Sequence, residues 1–422
     1  LGDVYKRQDW KTTALVVIDM ENAFISKESP LCIQEAAKSG IRRVVVPGEN
    51  AMEAAVIPGI TVWGVNCLND LLAALNHPEL ETEKVYQPRI RAEDLLREGT
   101  GQDTGDFREV AGQENAKRGA EIAAAGFHNL LMIGPPGVGK SMVAGRIPGI
   151  LPPLTLKESL EVTGIFSVAG LLPPGQALIT RRPFYAPHHT VTQAALIGGG
   201  SGIPRPGMVS LAHRGVLFLD ELPEFRKNVL DGMRQPMEER KVQIARSAGM
   251  VTYPSDFILV AAMNPCPCGY YPDRNKCRCT QPQIEKYLGK ISGPILDRID
   301  LCVELHPVDI LHLQKTKTEK SSEDMKRQIR HARERQAERF AGTDCRFNGD
   351  IRSAQVEEYC PLGEEGQKVM EQLYRTLQLS ARVYHRILKT ARTIADLEDR
   401  EEITGEHLLE AACYRPSETY WN

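Results

Sequence analysis

The sequence predicts an α/β fold. It has a parallel sheet between helical layers at its centre, a helical C-terminal lid and a small, truncated-looking α/β unit near the N-terminal end. Three observations carry this reading. The apolar run from His128 to Ile133 passes directly into a glycine-rich loop and then a helix-forming stretch. Two further runs, "VLFL" at 216–219 and "FILVAAM" at 257–263, have the unbroken apolar character of strands covered on both faces. Beyond residue 320, long stretches such as "EDMKRQIRHARERQAERF" repeat their apolar residues at helical spacing.

A chain of 422 residues exceeds one comfortable core, and about 150 residues per domain suggests two or three. Its net charge of −3 leaves no global field to attract nucleic acid, so any such contact must use local basic patches. Ten cysteines are too sparse for a secreted disulfide scaffold, which suits a reducing cytoplasm. No apolar run approaches the roughly 20 residues of a membrane span, so no membrane association is expected.

In chain order, residues 1–31 form an atypical segment. The start at Leu1 without Met, and the patternless "LGDVYKRQDWK", read as a fragment or junction. "TTALVVIDMENAF" resembles the opening strand of isochorismatase-type hydrolases, with Asp19 at a catalytic place. No later Lys and Cys complete that set, so it reads as a buried strand. Residues 32–76 alternate helix and strand: "IQEAAKSG", "IRRVVVP", "ENAMEAAVI", "ITVWGV" and "LNDLLAALN". Residues 77–106 turn polar and read as a linker.

The core is expected at 107–310. Gly134-Pro135-Pro136-Gly137-Val138-Gly139-Lys140-Ser141 matches G-x-x-x-x-G-K-[ST] between a strand and a helix. Its glycines let backbone N–H groups approach phosphate oxygens, and the helix N-terminus adds a positive dipole end. Lys140 would reach the outer phosphates of ATP, and Ser141 would hold Mg²⁺. "RGVLFLDEL" delivers Asp220 and Glu221 at the end of a buried strand. Asp220 suits a Mg²⁺ partner, direct or through water, and Glu221 a base for the attacking water.

Together with "RPFYAPHHT", "LIGGG", "AAMNPCPCG", "GPILDRIDL" and "LSARVYHRILKTARTIADLE", these motifs resemble the ComM/YifB family of magnesium-chelatase-like AAA+ ATPases from about Cys32 onward. The resemblance implies an S5/Lon-like N-terminal domain, only partly represented at 32–76. It implies that Asn264 is the sensor-1 residue beside the γ-phosphate, that Arg298 is an arginine finger for the neighbouring subunit, and that Arg382 is sensor 2 on a lid helix. A homo-oligomeric, hexameric ring follows from a finger that works in trans. The family's role is DNA branch migration, a helicase or translocase activity in recombination and natural transformation. The alternatives are a chelatase-type ATPase subunit remodelling a protein partner, and a nucleotide-dependent scaffold.

Met237 to Pro254 reads as a hairpin turning near Ser247-Ala248-Gly249, from which Arg240, Lys241 and Arg246 could touch DNA phosphates, single-stranded or branched. The basic helix 323–340 carries an apolar stripe at Met325, Ile329, Ala332 and Phe340, with its charges expected on a solvated face. His188 and His189 have no carboxylate or Cys nearby in sequence and read as parts of a substrate or structural loop. Residues 198–207, rich in Gly and Pro, read as a mobile insertion. Cys266, Cys268, Cys277 and Cys279 supply two thiolate pairs that could share a structural Zn²⁺. Residues 311–422 are expected to form the helical lid, with Ser380 and Thr404 as helix N-caps.

Overall fold

The computed structural model describes residues 15–16, 40–77, 84–88, 92–98, 105–173, 176–200, 204–246, 249–308, 320–415 and 420. Asp19, the helix expected at "IQEAAKSG" and parts of the polar stretch 77–106 lie outside them.

Strands β1 (Leu15–Val16), β2 (Arg43–Pro47) and β3 (Thr61–Val65) form a parallel sheet in that order. Both β2 and β3 begin exposed and then bury four residues in succession, because helices cover both faces. Helix Ala51–Ala55 packs on Val44 and Val46, and helix Leu68–Asn76 packs on Val45, Trp63 and Val65. The polar stretch is more structured than its composition suggests. Tyr86 exchanges two backbone hydrogen bonds of 2.8 Å with Gly64. Helix Ala92–Glu98 buries Ala92 and packs Leu95 and Leu96 near Leu160 and Leu178. Two adjacent leucines among charges give too short a period to be seen in sequence.

The central sheet contains β4 (Leu130–Ile133), β5 (Phe184–Tyr185), β8 (Val216–Leu219), β11 (Ile258–Met263) and β12 (Leu301–Glu304), all parallel, in the order β12-β4-β11-β8-β5. Strict alternation sorts its side chains. Leu130, Met132, Phe218 and Val260 face the helix Lys140–Ile150 and the lid, whereas Leu131, Ile133, Leu217 and Leu219 face Leu230, Ile284 and Leu288. Each fully buried side chain of this size contributes about 1.5–3 kcal/mol of apolar transfer. The order places β11 between the strands that carry the glycine-rich loop and the Asp-Glu pair.

Between these strands, β6 (Gly198–Gly199) pairs with β7 (Arg205–Pro206), and β9 (Lys241–Arg246) pairs antiparallel with β10 (Gly249–Pro254). The hairpin forms as expected, with Gly249 opposite Arg246. Its cations are placed differently. Arg240 sits at the base, ion-paired to Asp256 at 3.3 Å and to Asp350, with its guanidinium over the Phe127 ring. It is committed to the fold and not offered to a ligand. Lys241 is exposed, and the Arg246 side chain lies outside the described residues. The described parts of 198–207 are docked on this hairpin: Tyr253 Oη donates to the Pro204 carbonyl at 2.6 Å, and a Cβ on Gly198 would meet Ile244 at 2.6 Å. That close packing, for which only glycine leaves room, replaces the mobile insertion suggested by composition.

The C-terminal part consists of helices Ser322–Arg339, Glu364–Thr376, Ala381–Leu397 and Gly405–Cys413. Ser380 and Thr404 cap as expected, accepting from the Val383 and His407 N–H groups. Met325, Ile329, Ala332 and Phe340 are buried as the stripe implied. The basic face is less solvated than expected. Arg333 stacks 3.8 Å from the Phe347 ring centroid and donates to the Ala124 carbonyl, and Arg339 donates to both Asp396 oxygens at 2.6 and 2.7 Å. A planar guanidinium can cover aromatic carbon while its edge bonds, so a charge-rich sequence still packs.

Candidate active site

The glycine-rich loop leaves β4 and enters the helix Lys140–Ile150. Gly137 and Gly139 hold φ of +78° and +95°, the left-handed region where a Cβ is strained. Lys140 folds back over the loop, donating to the Gly134 and Pro135 carbonyls at 2.7 and 2.9 Å and to Asn264 Oδ1 at 3.0 Å. Burial pulls its ammonium below the usual lysine range, while Asp220 and Glu221 pull the other way. Ser141 Oγ donates to Asp220 Oδ2 at 2.9 Å. One locus therefore collects the end of β4, the end of β8 and the end of β11. A hydroxyl and a carboxylate that already converge have the donor set and spacing to share Mg²⁺, and the loop's N–H groups suit a triphosphate.

Glu221 follows Asp220 with φ of +53°, and its N–H is tied to Asp220 Oδ1 at 2.9 Å. This backbone turns its carboxylate out of the strand. It meets a residue whose partner the sequence did not reveal: His189 Nδ1 lies 3.1 Å from Glu221 Oε2. The expectation that no carboxylate stands near the two histidines is thus corrected. The signal was present only through register, since Tyr185 pairs with Leu217 and the two residues lie four positions beyond that pair on parallel neighbours.

Arg298 and Arg382 stand apart from this locus. They line a cavity of about 660 Å³ with Arg352, Arg386 and Lys389, bounded by Asn129, just ahead of β4. That is the N-terminal edge of the sheet, whereas the phosphate loop leaves the C-terminal edge, about 13 Å away along a four-residue strand. Arg298 is ion-paired with Glu238 and Arg382 with Asp297, while Arg386 donates to the Asp297 carbonyl at 2.9 Å.

The four cysteines converge. Their sulfurs all lie within 4.8 Å of one another, with Cys266 3.3 Å from Cys268 and 3.8 Å from Cys277. A tetrahedron with Zn–S bonds of about 2.3 Å has S···S edges near 3.8 Å, so the set fits a zinc ion. Burial alone would raise the Cys268 thiol; N–H groups of Tyr270 and Arg278 outweigh it and bring its pKa to about 6. The loop also touches the nucleotide locus. Gly269, at φ +87°, leaves no room for a Cβ, which would meet Pro136 Cδ at 2.5 Å.

A parallel sheet of this order, with a Lys/Ser loop on one strand and an Asp-Glu pair two strands away, defines a P-loop nucleotide-binding protein of the AAA+ type. The family described as "Magnesium chelatase, subunit ChlI" matches residues 106–313, and "Magnesium chelatase, subunit ChlI C-terminal" matches residues 319–415. The chain is 43% identical to the uncharacterized protein YifB of Escherichia coli over 90% of its length and 72% of that protein. It is 40% identical to the competence protein ComM of Haemophilus influenzae, over 90% of its length and 73% of that protein. Similarity to the magnesium-chelatase 67 kDa subunit of Chlorobaculum parvum is lower, 25% over 52% of this chain and 34% of that one. The chain belongs to the YifB/ComM family of magnesium-chelatase-like AAA+ proteins. Among the described residues no helix is long and apolar enough to cross a membrane.

Proposed function

We propose that this chain is a Mg²⁺-dependent ATPase that works as a cytoplasmic ring of six copies and drives DNA remodelling of the branch-migration kind. The observation that carries the ring is the separation just described. Arg298 and Arg382 lie together at the sheet edge opposite Lys140, so they serve a nucleotide only when a neighbour's phosphate loop docks against their cavity.

Within one site, Lys140 and the loop N–H groups bind the outer phosphates, and Ser141 and Asp220 hold the metal. Bound there, Mg²⁺ neutralises charge developing on the transferred phosphoryl oxygens. Glu221 accepts the proton of the attacking water and Asn264 orients that water. The neighbour's Arg298 and Arg382 complete the field around the γ-phosphate.

Similarity to a competence protein supports DNA as the track, and the exposed Lys241 at the start of the hairpin gives it a phosphate contact. The ATPase rate with single-stranded, duplex and branched DNA tests this. Stimulation of several-fold, lost in EDTA, is expected. No stimulation by any DNA would favour a chelatase-type remodeller of a protein partner, the reading that similarity to a chelatase subunit supports. In either case the four cysteines hold a structural Zn²⁺ that stiffens the loop between Asn264 and the helix Gln281–Leu288.

A further inference from the structure

The His189–Glu221 pair has no part in the chemistry above. Glu221 is the base, yet its Oε2 lies 3.1 Å from a ring nitrogen of His189. An N–H aimed at a carboxylate oxygen lowers its basicity and fixes its direction, both adverse to taking a proton from water. The histidine is itself held: its ring lies 4.1 Å from that of His188 and meets Phe225 edge-on at 6.5 Å, while His188 Nδ1 bonds Thr190 Oγ1 at 2.9 Å. This is an assembled position on a short loop after β5, neighbour to the strand that delivers Glu221.

The same loop runs on to the hairpin. After Thr192 caps the helix Gln193–Ile197, the chain reaches Gly198, which packs on Ile244 of β9, and Leu196 is fully buried in the same apolar cluster as Ile244. Seven residues thus separate the group that touches the base from the backbone locked to the hairpin. A displacement of β9–β10 has a short, packed route to His189.

We propose that His189 is a positioning residue that restrains the Glu221 carboxylate, holding ATP turnover low until movement of the hairpin withdraws residues 186–200 and frees the base. This rests on the ATPase reading and, for its trigger, on the hairpin meeting a track. The pair is a brake, and its release is what links engagement to hydrolysis.

Three variants of the full chain decide it. His189→Ala and His189→Phe remove the N–H donor, the second keeping a ring against His188 and Phe225; His189→Asn keeps an N–H near the place of Nδ1. Without DNA, kcat should rise at least threefold in the Ala and Phe variants with the KM for ATP within twofold of the parent, and should return to the parent value in His189→Asn. Basal kcat unchanged or lowered in His189→Phe, with ATP binding intact, overturns the proposal. Parent protein that no DNA stimulates removes the DNA reading but leaves the basal comparison to judge His189. If DNA does stimulate, the stimulation ratio should shrink in His189→Phe, and an undiminished ratio counts against the brake.

Discussion

Lys140 Nζ donates to Asn264 Oδ1 at 3.0 Å, joining the phosphate loop to the end of the neighbouring strand β11. Because β11 also pairs with the strand bearing Asp220 and Glu221, this contact sits between the group that binds phosphate and the groups that handle water. Incoming phosphate oxygens would compete for the same ammonium, leaving the Asn264 amide free to turn toward water.

Asn264→Ala should therefore separate binding from turnover. Lys140 keeps its two carbonyl partners, so ATP affinity should stay within a few-fold, while kcat should fall about 10²-fold, as for loss of one preorganised polar group. Equilibrium binding of a fluorescent ATP analogue beside steady-state kinetics checks this.

The cysteine loop should matter to nucleotide binding as well as to stability. Purified protein should carry one zinc per chain, and its removal by a chelator should lower Tm by several degrees and weaken ATP binding, since Gly269 rests against Pro136. Gly269→Ala, whose Cβ would press on Pro136 from a left-handed backbone costing about 1–3 kcal/mol, should weaken ATP binding with zinc still bound. Zinc content and ATP affinity measured on the same samples separate the two effects.

Glu161 anchors the helix Leu156–Ala169 to the start of β8 through His213 and Arg214. Burial opposes its charge, but His213 and Arg214 outweigh burial and hold its pKa at about 2, below the ordinary 4.5. A depressed carboxylate stabilises the fold above pH 4.5 and loses that contribution as pH falls toward 2. After screening, the contribution is about 1–2 kcal/mol. Urea midpoints should show Glu161→Gln less stable than the parent at pH 7, with the gap closing below pH 4.5.

The loop, its strands and the helix caps were legible in the sequence because each is a local pattern: an apolar run, two glycines ahead of Lys140, or Ser380 before a helical period. The hairpin was legible for the same reason. What stayed hidden depends on partners distant in the chain. Arg240 reads as a free cation until Asp256, Asp350 and Phe127 surround it. His189 reads as a loop residue until sheet order puts Glu221 beside it. The placement of Arg298 and Arg382 away from Lys140 likewise follows from which sheet edge each loop leaves.

That placement gives the most direct measurement. Lys140→Ala should fail to bind ATP, and Arg298→Ala should bind it with turnover reduced at least 10²-fold. Mixed in equal amounts and reassembled, roughly one half times one half, a quarter, of random interfaces pair an intact Lys140 site with a neighbour's intact Arg298. The mixture of two inactive proteins should therefore recover ATPase activity, near a quarter of the parent rate. Reassembled mixtures that stay as inactive as either component would contradict a site completed by its neighbour.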